Sequence, residues 1–476
     1  MKKLSVLFLL LSAFSIYSQE NIKYQKPSEE ILNLVEFERP PSILYDDNKN
    51  FMLLLFRDNY KSISELSAKE LRLGGLRIDP KTNIGSRVTY YNNVKIRNLK
   101  NQKSQITQVK GLPKNPKLSN ISWSPDQKRI ALTNTTENGV ELWVLELENG
   151  AVTKLTEPNL NSNIGSVINW FANSENMLVK MISNNRKSLI DTNKIVPDGP
   201  TISTNFGEKA QNRTYQDLLK NKFDEHNFEQ LSTSAIYKVS IDGSVKKWMD
   251  DGMYRTISFS PNGEYVMISQ INKPFSYLVT YGRFPTETNV YTKDGDFISN
   301  LLAVPLIEEL PKGFMSVRAG KRSFRWRTDK GASLTYVNAL DSGDPSLQVE
   351  FRDEIYELNY PFLGQGKFIL KTVNRFSGID WGTKNMAIAY DSWWNTRNRK
   401  SYVFNPSNPN IKPKIISDRN YQDTYSDPGT FLKSRNEFNR SVLKMHYGNL
   451  FLRGQGFTSA GPVSYTHLRA HETADN

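Results

Sequence analysis

A chain of 476 residues with a net charge of +13, 38% hydrophobic residues and no cysteine is long enough to bury a large core, and must do so without disulfides. The missing cysteines exclude a Cys nucleophile and zinc–thiolate sites. The basic residues are spread along the chain with no block of five in a row, so the surplus reads as a solvated surface rather than a nucleic-acid-binding patch, with acidic ligands as the second reading.

Residues 1–18 have the pattern of a secretory signal peptide. Lys2 and Lys3 precede an apolar run from Leu4 to Ile16, and Ser18 supplies a small residue before the cut. The run is too short to span a bilayer of about 30 Å. The protein is therefore expected to be exported, periplasmic or secreted behind a bacterial signal peptide, with no transmembrane segment. Residues 19–45 read as an N-terminal extension, with a helical turn or two over Glu29 to Val35. From 46 to 462 the chain is a series of short alternating or apolar runs separated by turn residues, which points to an all-β domain.

Two segments share one pattern. Ile121 to Leu132 carries Trp123, Ser124, Pro125 and Asp126 ahead of an apolar strand, and a second strand, Glu141 to Leu147, closes on Asn149-Gly150. Ile257 to Ile268 carries Phe259, Ser260, Pro261 and Asn262 in the same places, and Asn289 to Tyr291 leads to Lys293, Asp294 and Gly295. Pro fixes φ in the first turn, and Asp, Asn and Gly tolerate left-handed backbone. Asn-Gly and Asp-Gly are hairpin signals. Weaker copies run from Val167 to Trp170 before Met177 to Met181, from Phe324 to Trp326 before Ser333 to Val337, and from Gly382-Thr383 before Met386 to Tyr390. Repeats of this length built from strand, turn and strand predict a β-propeller of about seven four-stranded blades, the last one incomplete. A pair of β-sandwiches would need a linker near the middle, and no composition shift marks one. Within the propeller, Val196 to Asn212 reads as a loop and Tyr215 to Phe228 as a short helical excursion. At the far end, Val463 to Thr473 matches, residue for residue, one reading frame of the adapter DNA used in transposon-based sequencing libraries. Residues 463–476 are therefore expected to be an adapter-derived tail, with natural sequence ending near Pro462.

Further strings carry a resemblance. These are Tyr24 to Pro27; Glu70 to Ile78 with Pro80; Arg213 to Lys220 with Asp224, Glu225, Phe228 and Glu229; Pro274 to Val279 with Gly282 to Pro285; Gly313 to Pro345, including Ser316 to Arg318, Trp326-Arg327, Ala339 to Asp341 and Gly343 to Pro345; and Tyr425 to Gly429 followed by Leu452 to Gly454. In this order the chain resembles the N-terminal, propeller half of glutamyl endopeptidase-like enzymes of the prolyl oligopeptidase (S9) superfamily of serine peptidases. The resemblance implies a propeller that restricts access to an α/β-hydrolase domain following it in the chain, with peptides as substrates and Glu as the candidate cleavage-site residue. No cofactor is expected, and the spread of charge argues against a nucleic-acid partner. The competing reading is a stand-alone exported propeller that binds peptides, proteins or glycans.

No catalytic, cofactor or metal residue is assigned. The chain has no G-x-S-x-G string, and Gly456 to Gly461 has its Ser at the wrong spacing. Of four histidines, His467 and His471 lie in the expected tail, His226 reads as a surface residue and His446 as structural. Asp126 and the Lys293–Gly295 triplet read as turn chemistry. Two clusters are candidates for binding. Trp393-Trp394 with Arg397, Arg399 and Lys400 could meet a peptide or sugar, although a blade strand with a basic turn is the plainer reading. Arg318, Lys321, Arg322 and Arg325 are the densest basic group, and an Arg is the residue that pairs a substrate carboxylate bidentately.

Overall fold

The computed structural model describes residues 25–476 except 102, 192–193, 197–198, 201, 203–214, 455–456, 459–460, 463–466 and 473–476, with side chains described to residue 454. The expected signal peptide, most of the loop 196–212 and much of the tail lie outside the described residues. The remainder is almost all strand, in successive antiparallel meanders.

Each meander is a propeller blade. Blade 1 uses Ser42–Tyr45, Phe51–Phe56, Asn93–Asn98 and Thr107–Gln108. Blade 2 uses Leu118–Trp123, Arg129–Thr136, Gly139–Glu146 and Val152–Lys154. Blades 3 and 4 share one continuous strand, Val245–Phe259. Its first half is the fourth strand of blade 3, beside Ser234–Ser240, and its second half is the first strand of blade 4, beside Tyr265–Ile271. Blade 5 begins at Arg322–Trp326 and blade 6 at Arg375–Thr383. Blade 7 departs from the pattern. Thr430–Phe431 and Met445–His446 both pair with Asn449–Gly454, while Lys433–Arg435 and Ser441–Leu443 form a hairpin of their own. In the expected tail, His467–Glu472 adds a strand to Asn449–Gly454.

The propeller expectation holds, and all three weaker repeat copies occupy the first and second strands of blades 3, 5 and 6. Two boundaries move. The first blade starts at Ser42, ahead of the expected 46. The helix is Lys222–Ser232 rather than 215–228. Asn221 sets its start, because its side chain accepts from the backbone N–H of Phe223 and Asp224. Leu219 is instead buried against Phe228 and Leu231 in a loop. The turn Glu29–Val35 forms as expected.

Strand alternation gives a blade two apolar faces, and the successive contacts run from blade 1 to blade 7. In Arg129–Thr136, Ile130 and Leu132 pack with Leu53 and Ile96 of blade 1, whereas Ala131 packs with Met177 and Val179 of blade 3. Leu178 and Ile236 turn the other way, onto Ile257 and Val266 of blade 4. The series continues through Met267 with Leu334, Val337 with Ala387, and Ile388 with Leu450.

A meander also sorts its connections. Turns joining first to second strands, and third to fourth, lie on one face of the ring, here the turn face. Connections from second to third strands, and from one blade to the next, lie on the other, the loop face. Turn-face connections touch one another: the Asp47 N–H donates to Gln127, the Asp126 N–H to Ser174 Oγ at 2.9 Å, and the Asn262 N–H to Gly331 O at 2.9 Å. First strands therefore line the axis.

Candidate functional site

All the long excursions fall on the loop face: 57–92 in blade 1, 183–233 in blade 3, 272–285 and 305–321 around blade 4, and 340–352 in blade 5. Most of the strings that carry the resemblance map there too, namely Glu70 to Ile78, Asp224 to Glu229, Pro274 to Pro285, Gly313 to Arg318, Asp341 to Pro345 and Tyr425 to Gly429. Strands and tight turns supply the scaffold, and loops on one face carry most of the added chain.

Three of these excursions make one cap with its own core. Phe228 of the helix is fully buried against Phe275 and Phe284, at ring-centroid distances of 5.1 and 5.5 Å. Gly74 approaches the same ring, and its φ of +58° suits glycine. Polar ties cross the cap: Arg77 Nε to Asp217 Oδ2 at 2.6 Å, the Tyr281 N–H to Gly74 O at 2.8 Å, and Tyr277 Oη to Glu225 Oε1 at 2.7 Å. Burial and the adjacent Glu225 push the Tyr277 hydroxyl up to about 12, so it remains a donor. Between the blade 1 excursion and blade 2 lies a cleft of about 1280 Å³.

Beside the cap, blades 5 and 6 carry a buried ionic network. Asp341 Oδ2 receives Arg352 Nη1 and Arg375 Nη2, both at 2.7 Å. Asp353 Oδ2 receives Arg322 Nη2 at 2.6 Å, and its Oδ1 receives Arg375 Nη1 at 3.1 Å. Both carboxylates are fully buried. Burial pushes the Asp341 carboxyl upward, but hydrogen bonds from Arg375 and Arg352 outweigh it and hold the group below the usual carboxylate range. Arg375 Nε also donates to Met315 O at 2.9 Å, which fastens the 305–321 connection to blade 6.

This network joins the two clusters singled out in the sequence. Arg352 stacks on Trp393 at 3.9 Å. Trp394 is 42% exposed, and it lies between Arg397, at 3.9 Å, and Phe314, at 5.3 Å and 82% exposed. The plainer reading of the Trp pair is thus half met: the strand Met386–Trp393 is a blade strand, but Trp394 faces solvent. Arg399 lies over Tyr421, and Lys400 pairs with Asp418. In the basic group, Arg322 is held by Asp353, Arg318 donates to Ala319 O and Lys321 O, and Lys321 donates to Gly364 O. Arg325 is exposed and forms no ion pair among the described residues. The pairing of Asp341 and Asp353 with Arg352 and Arg375 is a contact through space that no spacing along the chain marks.

Among the described residues the arrangement brings no histidine together with a serine hydroxyl and a carboxylate. His226 Nε2 lies against Ser188 O at 3.0 Å, and His446 packs on Tyr447. Neither imidazole meets a serine hydroxyl or a carboxylate among the described residues. Asp126 accepts from Ser124 Oγ and the Lys128 N–H, which is turn chemistry. Among the described residues no group of three or more His, Asp or Glu could hold a metal ion, and no helix is long and apolar enough to cross a membrane.

No family model matches the chain. It is 33% identical over 464 residues to a probable glutamyl endopeptidase, chloroplastic, of Oryza sativa subsp. japonica, covering 94% of this chain and 49% of that one. To the protein of the same description in Arabidopsis thaliana it is 32% identical, covering 94% and 48%. The chain thus spans about half the length of the curated relatives it matches. Among solved structures, a prolyl endopeptidase aligns over 94% of this chain and 53% of its own with a TM-score of 0.44 and 10% identity. The acylaminoacyl peptidase of Pyrococcus horikoshii aligns over 93% and 53% with a TM-score of 0.41 and 13% identity.

Proposed function

Over 94% of its length this chain is homologous to proteins named probable glutamyl endopeptidase, and we propose that it is the propeller of an exported S9-type serine peptidase, restricting which peptides reach a hydrolase domain. The observation that carries this is the match itself: nearly all of this chain against about half of each relative. Topology supports it. Blade 1 begins on the loop face at Ser42, and a four-strand seventh blade returns the chain to that face. A following domain would therefore sit over the cap and the Phe314–Trp394–Arg397 stack. A peptide would be held between them, with loop-face arginines available to its acidic side chains. In this reading chemistry belongs to the second domain, and these residues exclude folded proteins by size.

The test is the gene downstream of the Pro462 codon, followed by the protein it encodes. An in-frame α/β-hydrolase domain with G-x-S-x-G is expected, and the full-length protein should cleave Glu-containing peptides while sparing a folded substrate of the same sequence. A stop codon at that point would overturn the proposal and leave the stand-alone binding propeller. Hydrolysis by residues 25–462 alone would refute the division of labour.

A further inference from the structure

The hairpin of blade 7 leaves its own sheet and crosses the ring. At its end, Arg435 Nη2 lies 2.7 Å from Asp47 Oδ1 of blade 1. The Asn439 carboxamide donates to Pro125 O of blade 2. Arg440 Nη2 reaches Phe259 O and Ser260 O of blade 4 at 3.3 and 3.4 Å. Asn436 Nδ2 donates to Thr328 O of blade 5 at 2.7 Å. The sheet of blade 7 packs on its neighbour, blade 6. A turn that touches blades 2, 4 and 5 at once must lie on the axis. All four acceptor blades are met at their turn-face connections, so the crossing is at that mouth.

We propose that the turn Asn436–Arg440 is a plug that closes the turn-face mouth of the central channel, so that ligands reach the channel from the loop face alone. Its contacts suit a plug. Three of the four anchoring side chains donate to backbone carbonyls, which every turn of this type presents whatever its sequence. The fourth, Arg435 with Asp47, ties blade 7 to blade 1 and helps close the ring. A cavity of about 660 Å³ lies beside the turn, lined by Ser122, Asn169 and Ser258 of the first strands. Ser258 faces it, since Ile257 and Phe259 on either side are buried between blades.

The plug stands or falls on this chain by itself, whatever the fate of the peptidase reading. Because the chain has no cysteine, Ser258→Cys creates a single reporter, and Ser346→Cys on the exposed loop face a reference. Both are labelled with a small maleimide and with a maleimide carried on a long polyethylene glycol. With the turn intact, the bulky reagent should label Ser258→Cys at least roughly ten-fold more slowly than Ser346→Cys, because it waits on local opening. Replacing residues 436–440 by Asn-Gly should abolish the difference. Asn439→Ala with Arg440→Ala, which keeps the turn's length, should narrow it if the shortened chain does not fold. Equal labelling of the two cysteines with the turn intact overturns the proposal, as does a slow rate that persists in every folded turn variant.

Discussion

Two tryptophans show what the repeated aromatic residue does. Trp170 Nε1 donates to Ser122 O of the preceding blade at 3.2 Å, and Trp326 Nε1 donates to Ser258 O at 3.0 Å. Each ring fills the space between blades while its N–H satisfies a first-strand carbonyl. Trp326→Phe keeps most of the packing and should cost about 1 kcal/mol in urea unfolding. The buried carboxylates set a pH dependence. Glu357, like Asp341, is pushed up by burial but held low by Lys330 and Arg327. A carboxylate whose folded pKa lies below its unfolded one adds stability that is complete above the unfolded value and is lost as pH falls through the folded value. Stability should therefore decline below about pH 4. Asp341→Asn should flatten that decline and cost about 3–5 kcal/mol at neutral pH, since it leaves Arg352 and Arg375 buried with half their charge unmet. Equilibrium unfolding from pH 2 to 7 reads both effects.

At the scale of the element, the Ser-Pro-Asp and Ser-Pro-Asn turns are built alike. Ser124 Oγ donates to Asp126 and accepts from the Arg129 N–H, and Ser260 Oγ does the same with Asn262 and Tyr265. The left-handed residue is the one after the Asp or Asn: Gln127 at φ 60° and Gly263 at φ 76°. The sequence located these turns and the left-handed glycines correctly; the difference is that Gln127, not Asp126, takes the left-handed conformation. A Cβ on Gly263 would lie 2.7 Å from the Ala172 Cβ of blade 3, so Gly263→Ala should destabilise by about 1–3 kcal/mol through overpacking across the blade boundary. In the cap, Asn221→Ala removes a side chain that accepts two N–H groups and should cost about 1 kcal/mol, seen first as faster hydrogen exchange over 222–232. The helix was misjudged by several residues because apolar Leu218 and Leu219 fit a helical period. The burial of Leu219 comes from the cap core, a contact between excursions far apart in sequence.

For the whole molecule, stability rests on apolar faces between blades with no covalent staple, and the cap is a separate layer on top. Phe228→Ala should cost about 3–5 kcal/mol of cap stability, and limited proteolysis should then cut within 183–233 before it cuts any blade. By itself the sequence determined the blades, because a two-residue alternation and the turn residues Pro, Asp, Asn and Gly act locally, and each repeat announces itself at Trp123, Trp170, Phe259 and Trp326. It also shows that the chain has no G-x-S-x-G string. Only the tertiary structure decided which residues meet. Asp341 finds Arg375, Phe314 finds Trp394, and the blade 7 turn finds the axis because a ring of blades brings together segments dozens to hundreds of residues apart. Charge pairing and channel closure depend on distances through space, which no local pattern along the chain encodes.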